Sequence, residues 1–387
     1  MDLKTLFLHA GRTLLFSLIT LVAVPVMAEQ AQYNIVANVT EKIVLSPRNG
    51  LSEAGGQYLI RYRSISGVDG KTPREDTAAV FLPKGVTPQG GWPVVIWAHG
   101  TVGIATHCAP SLNPRTPRDS QYLNTWLSLG FAVVAPDYAG LGSEGLHHYM
   151  NSRAEAWSVL DSARAALSAF PLQNRLVLVG QSQGAHAAFA SAGYQKTYAP
   201  KLNILATVVT GTPYFNATTS VQQVFGTSKT TGPDPKIPYA FYIYLSAEDT
   251  NPHLKAENYF QPMALPFLQQ AREMCIAPLT EQVNRYSLNA ANTLKPAMQT
   301  LLETQIETML YPTLHIEHPV FIGIGGDDIN VPTAMQQRFA SAVKASGTVT
   351  VVREYPGLDH SGTVNPSLRD SVPFVLEQMR GTDNINH

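Results

Sequence analysis

Ser182 stands at the centre of Gly180-Gln181-Ser182-Gln183-Gly184. The apolar run Leu176 to Val179 precedes it and the small-residue run Ala185 to Ala190 follows. That order reads as strand, tight turn, helix. A serine at such a turn is held in a strained backbone conformation, with its hydroxyl presented at the end of the strand. Glycines two positions away leave room for the neighbouring strand and helix. A hydroxyl is a weak nucleophile by itself. It needs a base within hydrogen-bond reach, and the base needs a carboxylate to orient it. The chemistry would be attack on a carbonyl carbon.

Two downstream loops carry the missing groups. Gly325 to Pro332 contains Asp327 and Asp328, after the apolar run Val320 to Ile324. Tyr355 to Gly362 contains His360, after Val349 to Val352. Both loops follow strands and so fall on the same sheet edge as Ser182. Serine, then acid, then histidine is the chain order of the α/β-hydrolase fold. Asp328 is the expected acid, because Val331-Pro332 follows at the spacing usual where a helix opens on proline. Asp327 is the alternative. The aspartate not used would be a solvated loop carboxylate or a helix cap. Of the histidines, His360 follows Asp328 on a strand-end loop, whereas His387 is the last residue. The developing oxyanion needs two donors. The N–H of Gln183, at a helix start, is one. The Thr101 N–H, in His99-Gly100-Thr101 at the end of an earlier strand, is the other, with its hydroxyl as a further donor. Gly100 would let that backbone approach, and His99 would pack beneath it.

The elements that must position these groups alternate along the chain. Tyr58 to Ser64 and Thr77 to Leu82 read as an early strand pair, and residues 29–57 as irregular. Trp92 to Ala98, Phe131 to Ala135, Arg175 to Val179 and Ile204 to Val209 read as buried strands. Leu123 to Leu129 and Arg153 to Phe170 read as helices. From Pro213 to His315 the rhythm breaks in a proline-rich block whose clearest helix is Leu294 to Leu310. It resumes at Val320, with helices expected at Thr333 to Ala345 and Ser367 to Met379. Continuous apolar strands between helices predict an α/β fold, with a mostly parallel central sheet covered on both faces. The expected organisation is a core of residues 29–212 and 316–387, with 213–315 a large, mainly helical cap or lid inserted late in the sheet.

Residues 1–28 read as a secretory signal peptide. Lys4 and Arg12 precede the apolar stretch Thr13 to Val24, and cleavage is expected after Ala28. The protein is expected to be secreted or periplasmic. Formal charge is −1, and charged residues are 14% against about a quarter in typical chains. No basic field exists to hold nucleic acid. The two cysteines, Cys108 and Cys275, lie 167 residues apart. In an oxidising compartment they are expected to pair. Such a closure is worth about 4–5 kcal/mol in the chain-entropy model, and it would pin the cap base beside the active site. The residue pattern supports no zinc site, since neither Cys-x-x-Cys nor His-Glu-x-x-His occurs.

At these residues the chain resembles the secretory lipase family, the lipase A type of α/β-hydrolase. The resemblance rests on His99-Gly100-Thr101 with Cys108 to Ser111, on Pro136 to Gly142, on Val159 to Ala165, on the serine turn and on Gly325 to Pro332. It implies hydrolysis of carboxylic esters under a helical cap, without a cofactor, with Ser182, Asp328 and His360 on the triad positions. Ala185 departs from the second glycine of many members. The expected function is therefore that of a serine esterase or lipase, working through an acyl-enzyme. Transient contact with a lipid interface would run through the cap. The alternatives are a feruloyl- or acetyl-type esterase, an acyltransferase, a peptidase sharing the triad, or a non-catalytic binding protein on a hydrolase scaffold.

Overall fold

The computed structural model describes residues 37–226 and 231–381. The expected signal peptide lies outside the described residues. Nine strands form one sheet: β1 (Val39–Val44), β2 (Ala54–Ile65), β3 (Pro73–Pro83), β4 (Trp92–Ala98), β5 (Ala132–Pro136), β6 (Leu172–Gln181), β7 (Ile204–Thr210), β8 (Val320–Gly325) and β9 (Thr350–Tyr355). Their spatial order is β1-β2-β3-β5-β4-β6-β7-β8-β9. The first three pair antiparallel, as does β3 with β5. From β5 to β9 every neighbouring pair is parallel. Strands β5 and β8 are buried at every residue. This is what the unbroken apolar runs require of strands covered on both faces.

Helices flank the sheet: α1 (Pro117–Ser128), α2 (Ser152–Ala169) and α3 (Gln183–Tyr198) between the early strands. Between β7 and β8 come α4 (Val221–Phe225), α5 (Ile237–Thr250), α6 (Leu265–Ala271), α7 (Ile276–Arg285), α8 (Ala290–Thr293) and α9 (Met298–Met309). Helices α10 (Thr333–Ala345) and α11 (Leu368–Gly381) complete the chain. One hydrophobic cluster joins Trp97, Val177 and Phe321 of the sheet to Tyr122 and Trp126 of α1 and to Phe374 of α11. A second cluster joins the helices between β7 and β8, through Phe241, Phe260, Leu279 and Leu302, to Met150, Val331 and Met335.

Three elements differ from the sequence expectation. Residues 39–44 form an edge strand rather than irregular chain. Almost every residue of it is exposed, so it lacks the apolar signature of a strand. Helix α1 begins six residues early, because Thr116 caps it by accepting the Asp119 N–H and Pro117 occupies the first position. Leu294 pairs with Phe260 in a β-bridge, so the last helix before β8 starts at Met298.

Candidate active site

Ser182 sits between β6 and α3 at φ 59° and ψ −123°. A non-glycine residue in that region carries strain that only its surroundings can hold. Those surroundings are specific. A Cβ at Gly180 would overlap the Gly184 carbonyl, and one at Gly184 would overlap the Ala98 carbonyl. The Ser182 N–H donates to the Thr210 carbonyl at 3.0 Å, which ties the turn to β7. Ser182 is 7% exposed.

The loops after β8 and β9 bring Asp328 and His360 together. His360 Nδ1 donates to Asp328 Oδ2 at 2.6 Å. The second carboxylate oxygen accepts the backbone N–H groups of Asn330 and Val331, each at 2.9 Å. Gln336 of α10 donates to Oδ2 at 2.8 Å. Asp328 is buried and its oxygens are occupied, so its orientation is fixed. Asp327 is exposed and its side chain is not part of this network. Gly211, at φ 61°, ends β7 beside the imidazole, and a Cβ there would lie 2.9 Å from His360 Cε1. Sequence reading passed over this glycine. Its only signal was its place at the end of an apolar run.

Of the expected oxyanion residues, Gln183 follows the serine directly and Thr101 follows Gly100, whose backbone comes close to it. Gln183 opens α3, where the first N–H groups have no carbonyl partner within the helix. Its side chain is locked from behind. Its Nε2 donates to Glu155 Oε1 and to His147 Nε2, both at 2.7 Å. His147 is a neutral acceptor here, because its Nδ1 donates to the Ala139 carbonyl at 3.0 Å and burial pushes it down to about 3. Glu155 also accepts the Met150 N–H at 3.0 Å, and Met150 itself has φ 62°. Gly100 approaches the turn, since a Cβ there would lie 3.6 Å from Ser182 Cβ. The Thr101 hydroxyl shares a hydrogen bond of 2.8 Å with Tyr149. Buried His99 stacks on Tyr138 at 4.2 Å, and burial holds it down to about 4.

Sequence reading missed the tyrosines that join these loops to α5. Tyr149 stacks with Tyr239 at 6.1 Å and meets Tyr242 edge-on at 5.5 Å. Asn330, two residues past the acid, donates to the Tyr239 hydroxyl at 3.1 Å. The only trace in the sequence was the aromatic stretch Tyr239 to Tyr244, inside a block that showed no rhythm. Tyr149, Met150, Phe215, Ile243 and Met335 line a mainly apolar cavity that reaches Ser182 and holds about 40 Å³ of water-accessible space.

Cys108 and Cys275 form a disulfide, with Cα atoms 5.5 Å apart. The Ile276 N–H donates to the Val102 carbonyl at 2.8 Å, so the start of α7 lies against the Thr101 loop. His107 is close to both sulfurs, but sulfurs bonded to each other offer no thiolate to a metal. No helix among the described residues is long and apolar enough to cross a membrane.

The architecture is that of the α/β-hydrolases. A crystal structure of lipase A from Candida antarctica matches with a TM-score of 0.69 at 20% identity, covering 89% of this chain and 82% of that one. The rice cell wall degrading esterase of Xanthomonas oryzae matches with a TM-score of 0.67 at 18% identity, covering 88% and 96%. A secreted triacylglycerol lipase of Malassezia globosa is 25% identical over 360 residues, covering 86% of this chain and 72% of the relative. The family model described as secretory lipase matches residues 107–354, well over half of the chain. The chain belongs to the secretory lipase family and is a carboxylic-ester hydrolase.

Proposed function

We propose that this protein is an exported serine hydrolase of acyl esters that works through an acyl-enzyme. The observation that carries the reading is the Asp328–His360 pair at 2.6 Å, on strand-end loops beside the strained Ser182. Ser182 Oγ attacks the ester carbonyl carbon, and its proton passes to His360 Nε2. Asp328 holds the imidazole with Nε2 free of its own proton and supports the imidazolium that forms. The N–H groups of Gln183 and Thr101 receive the charge that develops on the carbonyl oxygen. The proton on Nε2 then goes to the leaving alcohol, and water releases the acyl group by the reverse sequence.

Residues 213–315 are proposed as a lid. The cavity beside Ser182 is small and mainly apolar, and a shift of these helices would enlarge it for a long acyl chain. The Malassezia relative is by name a triacylglycerol lipase, and its substrate class, lipid esters, is the first to test. The small cavity favours a second reading, an esterase for short acyl groups, in line with the name of the Xanthomonas neighbour. Export through residues 1–28 predicts a mature protein beginning at Glu29, which N-terminal sequencing would detect.

Two measurements test the proposal. A fluorophosphonate should label the protein, and Ser182→Ala should abolish labelling. No labelling of the folded wild type would favour a binding protein instead. Rates on tributyrin, a long-chain triglyceride and a feruloyl ester then separate lipase from esterase. Activity that rises once the long-chain substrate forms an emulsion supports a moving lid, and equal activity above and below that point argues against one.

A further inference from the structure

The proposed mechanism leaves one contact of the base unexplained. Among the described residues, the hydrogen-bond partner of His360 Nε2 is the side chain of Gln181, at 3.1 Å, rather than Ser182. Gln181 ends β6, immediately before the nucleophile, and is 2% exposed. Its amide orientation follows from its other neighbour. Arg118 Nη2 lies 3.4 Å from Gln181 Oε1, and a guanidinium only donates. The oxygen therefore faces Arg118 and the NH₂ faces His360. Space for this arrangement depends on Gly100, where a Cβ would come within 2.6 Å of Oε1.

Arg118 is itself held in place. Its Nε donates to Asp119 at 2.8 Å and its Nη1 to Ser361 Oγ at 3.2 Å, while Asn365 Nδ2 donates to its carbonyl at 3.1 Å. The first turn of α1, the end of β6 and the histidine loop thus converge on one amide. That amide has only hydrogens to offer Nε2. Since Nδ1 donates to Asp328, Nε2 carries the single lone pair of a neutral imidazole. The same lone pair must receive the Ser182 proton.

We propose that Gln181 is a latch on the catalytic base. At rest its amide occupies the lone pair and keeps His360 in the tautomer that can act as base. For reaction it must leave Nε2. The Ser182 Oγ–carbon bond then forms, the Oγ proton moves to Nε2, and the carbonyl π electrons move onto oxygen. Once Nε2 bears that proton, the Gln181 NH₂ and the Nε2–H are two donors facing each other. The contact cannot re-form until the proton has gone to the leaving group. The latch therefore yields to an ester or water that approaches His360 and closes again behind the product.

This inference rests on the triad reading, and the test separates the two. The rate of Ser182 phosphonylation by a fluorophosphonate is compared in wild type, Gln181→Met, Arg118→Met and Ser182→Ala. Methionine keeps the length of glutamine and donates nothing. Removing a competing hydrogen bond should raise the labelling rate of Gln181→Met roughly 2- to 12-fold. Arg118→Met, on the solvent-lined first turn of α1, frees the amide to turn and should give a smaller rise. That variant carries the test if Gln181→Met does not fold. In Ser182→Ala protein labelled with ¹⁵N-histidine, where no serine hydroxyl can take the vacated lone pair, the His360 Nε2 resonance should move toward that of an unbonded imine nitrogen when Gln181→Met is added. Labelling at or below the wild-type rate, or an unmoved Nε2 resonance, overturns the latch. Labelling that survives Ser182→Ala overturns the triad reading, and the Nε2 resonance still judges the latch.

Discussion

The sheet with its flanking helices and the helices inserted between β7 and β8 are built on different terms. In the sheet, side chains answer to local periodicity, and apolar strands such as β5 and β8 are buried from end to end. Most of the inserted helices are short, two open on prolines, and they bury Phe241, Phe260 and Leu302 in a cluster separate from that of the central strands. The two regions meet through the Cys108–Cys275 disulfide, the Ile276–Val102 hydrogen bond, the packing of Tyr149 on Tyr239 and Tyr242, the Asn330–Tyr239 hydrogen bond, the His186 Nε2 bond to the Met309 carbonyl at 2.7 Å, and the burial of Met150, Val331 and Met335 against the inserted helices. Those at Val102, Asn330 and His186 lie within a few residues of a proposed catalytic group. The difference teaches a division of labour. The sheet carries the residues proposed to react, and the inserted helices pack around their own core and against the loops that bear those residues.

The strongest test of that division concerns the sheet alone. Ser182→Ala should lower kcat for ester hydrolysis by about 10⁴- to 10⁶-fold, and Asp328→Asn by about 10⁴-fold. Asp327→Asn should leave the rate within a few fold, because that side chain is exposed. Steady-state kinetics on a soluble ester measures all three, and a large loss in Asp327→Asn would break the assignment of the acid.

The next effect addresses the covalent join. Replacing Cys108 and Cys275 together by serine should cost up to about 4–5 kcal/mol of stability by chain entropy, read from denaturant unfolding. If the inserted helices, with a core largely of their own, open as a unit, they should become accessible to protease before the sheet does. Simultaneous loss of both would argue against the division.

A smaller effect is set by pH. Burial holds His318 and His99 down to about 4 and His147 down to about 3, whereas an unfolded imidazole titrates near 6.5. Above that value neither state binds a proton at these sites, and no stability depends on them. As pH falls below about 6.5 the unfolded chain takes up protons that the folded one refuses, so stability is lost progressively toward pH 4. Asp137 and Asp161, pushed up to about 6 by burial, act in the opposite sense between about 6 and their ordinary range. All five residues lie outside the inserted segment. His318→Gln should therefore flatten the fall in unfolding free energy between pH 6.5 and 4, read from denaturant unfolding, by an amount on the order of 1–3 kcal/mol. An unchanged slope would mean that His318 does not carry its share.

The smallest effect lies at the seam. Tyr239→Phe removes the acceptor of the Asn330 amide and should cost about 0.5–1.5 kcal/mol. If Tyr239 steadies the acid loop, kcat should fall a few fold while Tm shifts by only a few degrees. A change confined to KM would instead place Tyr239 in substrate access.

Much of the site was legible in the sequence, because its geometry is enforced locally. Gly180 and Gly184 advertise a turn that no side chain could share. Apolar runs ending at Ile324 and Val352 announce strand ends, and the order of Ser182, Asp328 and His360 follows the order of the strands. Helix α1 could have been placed more fully, since Thr116-Pro117 is a cap signal that apolar periodicity overlooked. The edge strand β1 could not, since an exposed strand carries no alternation to read.

The sequence by itself determined the parallel sheet, the strained serine and the loops that carry its partners, because period, glycine and chain order act over a few residues at a time. Tertiary structure alone decided that Asp328 turns inward to accept from Gln336 while Asp327 faces solvent. It also decided that Gly211 clears space for the imidazole, that Tyr149 and Tyr239 bind the loops to α5, and that Gln181 reaches His360. Apart from the Asp328–Gln336 bond, those contacts join residues 90 or more positions apart. They form only when distant segments are packed side by side, and a distant partner leaves no periodic mark on the chain.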